Sequence, residues 1–299
     1  MPTPAPTPTP TATQQHGPHG PATDHVLRTF STSKDYEQCV ELQRLTWGRD
    51  FTECVPPAIL QIAQKVGGVA AGAFDSSDRL VGFVFGVSGF RDGRTAHWSH
   101  MLAVRPELRG AGLGTRLKAL QRDLLQAIGV EIVYWTYDPL VSANAHLNIN
   151  RLSARPVEYV PDMYGSDTGS ELHSGLGTDR LIVQWELESR DVADALAGKG
   201  VTASAEPQDA HSPAVNLNDR LEPTTDMRVS TDTTVRIAIP GDIQAVKRAA
   251  ADTARTWRSA TRLAFQTYLN KGYRVTGLAR SDPGDICYYI MKRQEMSST

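Results

Sequence analysis

The segment Met101-Leu102-Ala103-Val104-Arg105-Pro106-Glu107-Leu108-Arg109-Gly110-Ala111-Gly112-Leu113-Gly114 constrains the fold more than any other. An apolar run ending at Val104 predicts a strand. Leu113, Leu117, Leu120, Leu124 and Ile128 then recur at steps of three and four, and Gly129 closes that helical stripe. Glycines at alternate positions let the connecting backbone turn tightly and bring several N–H groups to one point. They open onto a helix N-terminus, where unpaired N–H groups and the macrodipole favour an anion. A diphosphate is the expected guest.

Other glycine loops are distinguishable by their surroundings. A P-loop needs Gly-Lys-Ser/Thr at its end, whereas Gly114 is followed by Thr115-Arg116. A dinucleotide fingerprint needs the first strand of a βαβ unit and an acid ending the next strand. Here several elements come first, and the next strand ends in Tyr137-Asp138-Pro139. A nucleotide-phosphate enzyme and a turn with no ligand remain the alternatives.

Composition narrows the class further. With 40% apolar and 21% charged residues the 299-residue chain can build a packed core. A formal net charge of −2 gives no basic excess for a nucleic-acid or membrane-surface partner, and neither is expected. Cys39, Cys54 and Cys287 stand far apart without a Cys-x-x-Cys pair, which suits reduced thiols and argues against a metal site or a disulfide framework. The first residues show neither the basic start nor the apolar stretch of a signal peptide, so a soluble, cytoplasmic protein is expected.

Four regions are expected along the chain. Residues 1–25 form a Pro/Thr-rich tail that should be disordered. Residues 26–187 alternate strands and helices in the order β-α-α-β-β-β-α-β-α-β-β, with Ser33 as a possible cap for the first helix. Residues 188–232 lose periodicity and read as a flexible linker. Residues 233–293 form a β-α-β-β unit, packed on the first domain, whose single long helix runs from about Asp242 to Asn270. The expected class is α/β, in α+β form, with a mixed sheet.

Val104-x-Pro106-x-x-Arg109-Gly110-x-Gly112-x-Gly114, with its strand before and helix after, resembles the Arg/Gln-x-x-Gly-x-Gly/Ala signature of the GNAT N-acetyltransferase superfamily. Tyr164-Gly165 and the stretch from Leu172 to Arg180 look like a bacterial branch of it. The resemblance in element order covers about Val26 to Leu187. It implies acetyl-CoA, or another acyl-CoA, as co-substrate and an amine, small-molecule or protein-borne, as acceptor. It implies that the strand backbone at Leu102, Ala103 and Val104 holds the pantetheine arm. The amides of Arg109, Gly110, Ala111, Gly112, Leu113, Gly114 and Thr115 would bind the pyrophosphate. The thioester would enter between that strand and the next, Ile132 to Tyr137, for direct attack by the amine.

Proton transfer has several candidates. His97 and His100 lie three apart on a strand, hence on opposite faces, and cannot share a metal. His100 matches a histidine in arylalkylamine acetyltransferases and is the expected base, its imidazole suited to neutral pH. The family's usual acid, a tyrosine, is replaced by Ile149 in the alignment. Tyr164 or Tyr137 would substitute, or Tyr268, whose Tyr268-x-x-x-Gly272-Tyr273 context resembles the family's helix–strand junction; or no acid is needed, since a thiolate can leave unaided and be protonated by water. Tyr137, His173 and the loop from Gly175 to Arg180 are expected near the acceptor. Arg105, Arg116 and Lys118 are expected to be mainly solvated charges that favour a polyanion. The missing tyrosine at Ile149 also suits an acyl-CoA-binding sensor or scaffold without turnover.

Overall fold

The structure, a computed structural model, describes residues 25–165, 175–199, 211–281 and 285–294. Its first part runs β1 (Val26–Thr29), α1 (Ser33–Trp47), α2 (Pro57–Lys65), β2 (Val69–Phe74), β3 (Leu80–Arg91), β4 (Arg94–Val104), α3 (Leu113–Gln126), β5 (Ile132–Tyr137), α4 (Ser142–Ala145), β6 (Arg155–Val160) and β7 (Arg180–Glu186). A π-helical segment, His146–Arg151, continues α4. The strands form a seven-stranded mixed sheet in the order β1-β2-β3-β4-β5-β7-β6. Then follow α5 (Arg190–Leu196), β8 (Thr234–Pro240), α6 (Ile243–Ala249), α7 (Ala251–Asn270), β9 (Tyr273–Arg280) and β10 (Ile286–Arg293), with a second sheet ordered β8-β10-β9.

Local chemistry explains the helix starts. Thr32, rather than the expected Ser33, caps α1: its side chain accepts from Asp35 N–H, and the Asp35 carboxylate accepts from the Thr32 and Ser31 amides. The same carboxylate, fully buried, takes both guanidinium nitrogens of Arg28 and so ties β1 to α1. Pro57 occupies the first turn of α2, where its missing N–H costs nothing.

The apolar stripe of α3 is rotated from the expected one. Leu113, Leu117, Lys118, Gln121 and Leu125 are its buried residues, while Ile128 is exposed. Two polar side chains therefore take interior places, and they bond to one another and to β4. Leu113, Leu117 and Leu125 pack on the side of the sheet shared with Val133, Trp135 and Trp185. Helices α1 and α2 cover the other face through Cys39, Leu42, Leu60, Phe83, Phe85, Met101 and Ala103.

The C-terminal helix is two helices. Ala250 (φ −154°, ψ 92°) breaks it between α6 and α7. Three consecutive alanines have the strongest helix propensity, so the break answers to packing. Ile243 of α6 and Ala254, Trp257 and Ala264 of α7 are all buried, and all belong to the large interior cluster that also holds Val235, Ile237 and Ile239 of β8. Within 188–232, read as a linker, the chain forms α5 and then a segment in which Asn216 is buried and exchanges hydrogen bonds with the Ala238 backbone.

Two arginines of α7 clasp the first sheet. Arg258 pairs with Asp138 at the end of β5 (2.6 Å) and donates to the Leu176 carbonyl (2.9 Å). Arg262 holds both oxygens of the buried Asp179 and also pairs with Asp162. Burial alone would raise the Asp179 pKa; hydrogen bonds from Arg262, Tyr159 and the Asp162 amide outweigh it and hold the carboxyl below its usual range. Asp35 is lowered by Arg28 and its capping amides against the same burial penalty. For both groups the folded pKa lies below the unfolded one, so their stabilisation is present above about pH 4 and is lost as pH falls through the folded values. Urea midpoints should therefore hold steady from neutral pH down to about pH 5 and fall in stronger acid. Asp179→Asn should flatten part of that acid limb and cost about 1–3 kcal/mol at neutral pH; an unchanged acid limb would remove Asp179 from the clasp.

Candidate functional site

Strands β4 and β5 are parallel neighbours over three residue pairs only: Ala96–Ile132, His97–Val133 and Trp98–Tyr134. Beyond them β4 stays paired with β3, and β5 with β7, while the two strands part from each other. Arg105 N–H bonds to Val81 O on the β3 side. Peptide groups alternate along a strand, so those of Leu102 and Val104 face the gap towards β5. The sheet is forked, and the main chain of Leu102 and Val104 facing the fork has no partner strand there.

A bulge sits at the base of the fork. Phe85 pairs with Met101 and Gly86 with Ser99, leaving His100 as the extra residue. The bulge switches the parity of β4. His97 and Ser99 point towards α3, whereas Met101 and Ala103 pack with α1 and α2. His100 lies on the α1–α2 side, edge-on to Phe85 at 6.2 Å between ring centroids. Desolvation lowers its pKa from 6.5, against the opposing charge of Glu53.

The glycine loop closes the mouth of the fork. After a 3₁₀ turn at Pro106–Leu108, Gly110 (φ 82°) and Gly112 (φ 78°) adopt the left-handed conformation, and Gly112 caps α3. Among the described residues the N–H groups of Gly110, Ala111, Gly112, Leu113, Gly114 and Thr115 find no acceptor; Arg116 is the first to bond, to Gly112 O. Arg109 Nε returns to the Val104 carbonyl at 3.2 Å, joining the loop to the end of the strand. A Cβ on Gly114 would sit 3.9 Å from Leu102 Cδ2 and from Leu147 Cδ2, so α3 begins between β4 and the π-helical segment. Unpaired amides at a helix start, with Leu102 and Val104 main chain beside them, fit a diphosphate carrying an extended amide-bearing arm.

Behind the fork lies a largely buried polar chain that the sequence did not disclose. Lys118, expected in solvent, is 2% exposed. Its ammonium donates to Ser99 Oγ (2.9 Å) and Gln121 Oε1 (3.0 Å) and lies 3.6 Å from the centre of the Trp135 ring. Burial lowers its pKa well below the usual lysine value. Gln121 Nε2 donates to His97 Nε2 (3.1 Å), and His97 Nδ1–H to Ser88 Oγ (2.9 Å), which in turn donates to Gly67 O (2.6 Å). This assignment is the one in which every group has a partner. Desolvation, then the neighbouring Lys118, brings the His97 pKa down to about 3.

The other sequence candidates are dispersed. Tyr164 OH is 3.1 Å from Thr136 Oγ1, on the strand bordering the fork, with the Arg180 guanidinium over its ring. Tyr137 is buried in the interior and its hydroxyl pKa is raised by desolvation, which puts it in the core rather than at an acceptor surface. Tyr268 is fully buried in the C-terminal unit; its ring packs on Tyr273 and its hydroxyl accepts from Ser230 N–H. A helix capped by glycine before a strand produces the letters around Tyr268 without bringing it to the fork. Ile149 is buried in the π-helical segment. The loop before β7 is pinned by Thr178, which accepts from Tyr164 N–H and donates to Gly165 O. Arg105 is tied to Leu80 O and Arg116 to His25 O. His173 lies outside the described residues.

Gly86, opposite the bulge, is a site residue that periodicity could not reveal. A Cβ there would meet His97 Nε2 at 2.2 Å and the Trp98 carbonyl at 2.4 Å. Gly86→Ala should cost about 1–3 kcal/mol in urea unfolding, because backbone at the base of the fork must shift. An alanine variant as stable as the parent would show that the bulge is not tightly packed.

Residues 36–147 match the sequence model of the Acetyltransferase (GNAT) family. No curated protein matches the chain. Among solved structures, it is similar to aminoglycoside 6'-acetyltransferase type Ii at 20% identity, covering 55% of this chain and 99% of that one, with a TM-score of 0.42. It is similar to a GNAT superfamily phosphinothricin acetyltransferase from Sinorhizobium meliloti, in complex with AcCoA, at 16% identity (54% and 88% covered, TM-score 0.45). An N-acetyltransferase from Staphylococcus aureus Mu50 is similar at 12% identity (55% and 99%, TM-score 0.45). The stretch that matches the Acetyltransferase (GNAT) family model, residues 36–147, holds the whole of β4, the glycine loop, α3 and β5.

Proposed function

We propose that the protein moves an acetyl or other short acyl group from acyl-CoA to an amine, borne by a small molecule or a protein, by direct attack. The observation that carries this reading is the parting of β4 and β5 beside a loop of unpaired amides. Acyl-CoA would supply the activated thioester. The chain's own residues supply position and charge. The amides of Gly110 to Thr115 meet the pyrophosphate, and the Leu102 and Val104 main chain holds the arm so that the carbonyl lies at the base of the fork.

His100, on the bulge at that base, takes the proton from the attacking ammonium. A neutral imidazole is the form required, and desolvation, which lowers the His100 pKa, favours it. Tyr164, bonded to Thr136 on the facing strand, would protonate the leaving thiolate. The burial of Tyr268 and of Ile149 supports a second reading, acyl-CoA binding without turnover.

A thiol-release assay with acetyl-CoA and pooled amines separates the two. We expect turnover in the parent and a loss of about 10²–10⁴-fold in His100→Ala. Because the His100 pKa is lowered, the parent's activity should rise with pH through an inflection below 6.5 and stay level above it; the limb should vanish in the variant. Acetyl-CoA binding with no thiol release on any amine would favour the second reading, and unchanged turnover in His100→Ala would remove that residue from the proton path.

A further inference from the structure

Two parallel strands that pair at their base normally go on pairing, because each further step satisfies buried peptide groups. Something must oppose that at Ser99 and Trp135, the first residues of β4 and β5 beyond the last paired couple. In continued register these two would be lateral neighbours on the same face, their strands about 4.8 Å apart. The Lys118 ammonium contacts both: 2.9 Å to Ser99 Oγ and 3.6 Å to the Trp135 ring centre. Its third partner, Gln121, lies one turn further along α3 and continues to His97 and Ser88. The same helix starts at the glycine loop.

We propose that Lys118 is the positioning residue of the acyl-CoA site, a wedge that keeps β4 and β5 apart and sets the opening in register with the phosphate loop. Three features support the wedge. The ammonium has three hydrogens, and Ser99, Gln121 and the ring face take all three. A buried amine is costly, and an apolar side chain of similar volume would fill the same interior without that cost. The helix that carries the wedge is also the one whose first amides form the loop, so a shift of α3 moves both ends of the site together.

The inference rests on the acyl-CoA reading, and the test distinguishes their failures. Calorimetry on the full chain compares acetyl-CoA with the nucleotide end of CoA alone, which carries the phosphates but no pantetheine arm. The parent should bind acetyl-CoA more tightly than the nucleotide. Lys118→Met should lose about 10–100-fold in acetyl-CoA affinity while nucleotide affinity stays within about twofold, because only the arm needs the fork. If the parent binds the two equally, the acyl-CoA reading itself fails. If Lys118→Met keeps its acetyl-CoA affinity, the wedge fails and the acyl-CoA reading stands. A parallel loss of both ligands would mark Lys118 as general packing and also overturn the wedge. Should Lys118→Met not fold, Ser99→Ala removes only the β4 end of the bridge. It should lose about 3–10-fold for acetyl-CoA with the nucleotide unchanged, and the same outcomes decide.

Discussion

A sheet that divides must leave peptide groups without partners, and the organisation of this protein follows from where it divides. β4 and β5 share three residue pairs and then separate, each kept in place by its other neighbour. β3 and β7 hold the arms from outside. From inside, the bulge at His100 reverses which face β4 presents, and Lys118 stands between Ser99 and Trp135. Leu102 and Val104 are only half-buried, so a ligand or water can reach their main chain.

The part of this arrangement that lies in backbone conformation was readable from the amino acids. Gly110 and Gly112 take positive φ, and few residues other than glycine do so without strain, which is why the loop stood out. The strands and helices around it followed from apolar spacing. What escaped was polar and interior. A lysine beside Leu117 reads as a solvated charge, since lysine is almost never fully buried, and only the placement of Ser99, Gln121 and Trp135 around it makes a buried one tolerable. Gly86 escaped for a related reason: its need for no side chain comes from the His97 ring crossing above it, a contact between two strands.

The C-terminal unit shows the opposite failure, where local sequence suggested more than the fold uses. Tyr268 stands in a helix–Gly–strand context that resembles a catalytic junction, yet its ring lies inside the unit against Tyr273. Ala249-Ala250-Ala251 reads as uninterrupted helix, yet the chain breaks there. The unit is held to the first sheet by Arg258 and Arg262, whose partners Asp138 and Asp179 immediately follow β5 and precede β7. Both β5 and β7 lie on one side of the fork. The clasp therefore steadies that arm of the opening, while α1 and α2 steady the other.

The central claim is that the amides of the loop and of one arm of the fork converge on a single extended ligand. Amide chemical shifts recorded by NMR during titration with acetyl-CoA test it most directly. The account predicts saturable shifts at Gly110 to Thr115 together with Leu102 and Val104, and none in the C-terminal sheet. Shifts confined to the loop, with Leu102 and Val104 unmoved at saturation, would contradict it, because the fork would then have no part in holding the ligand.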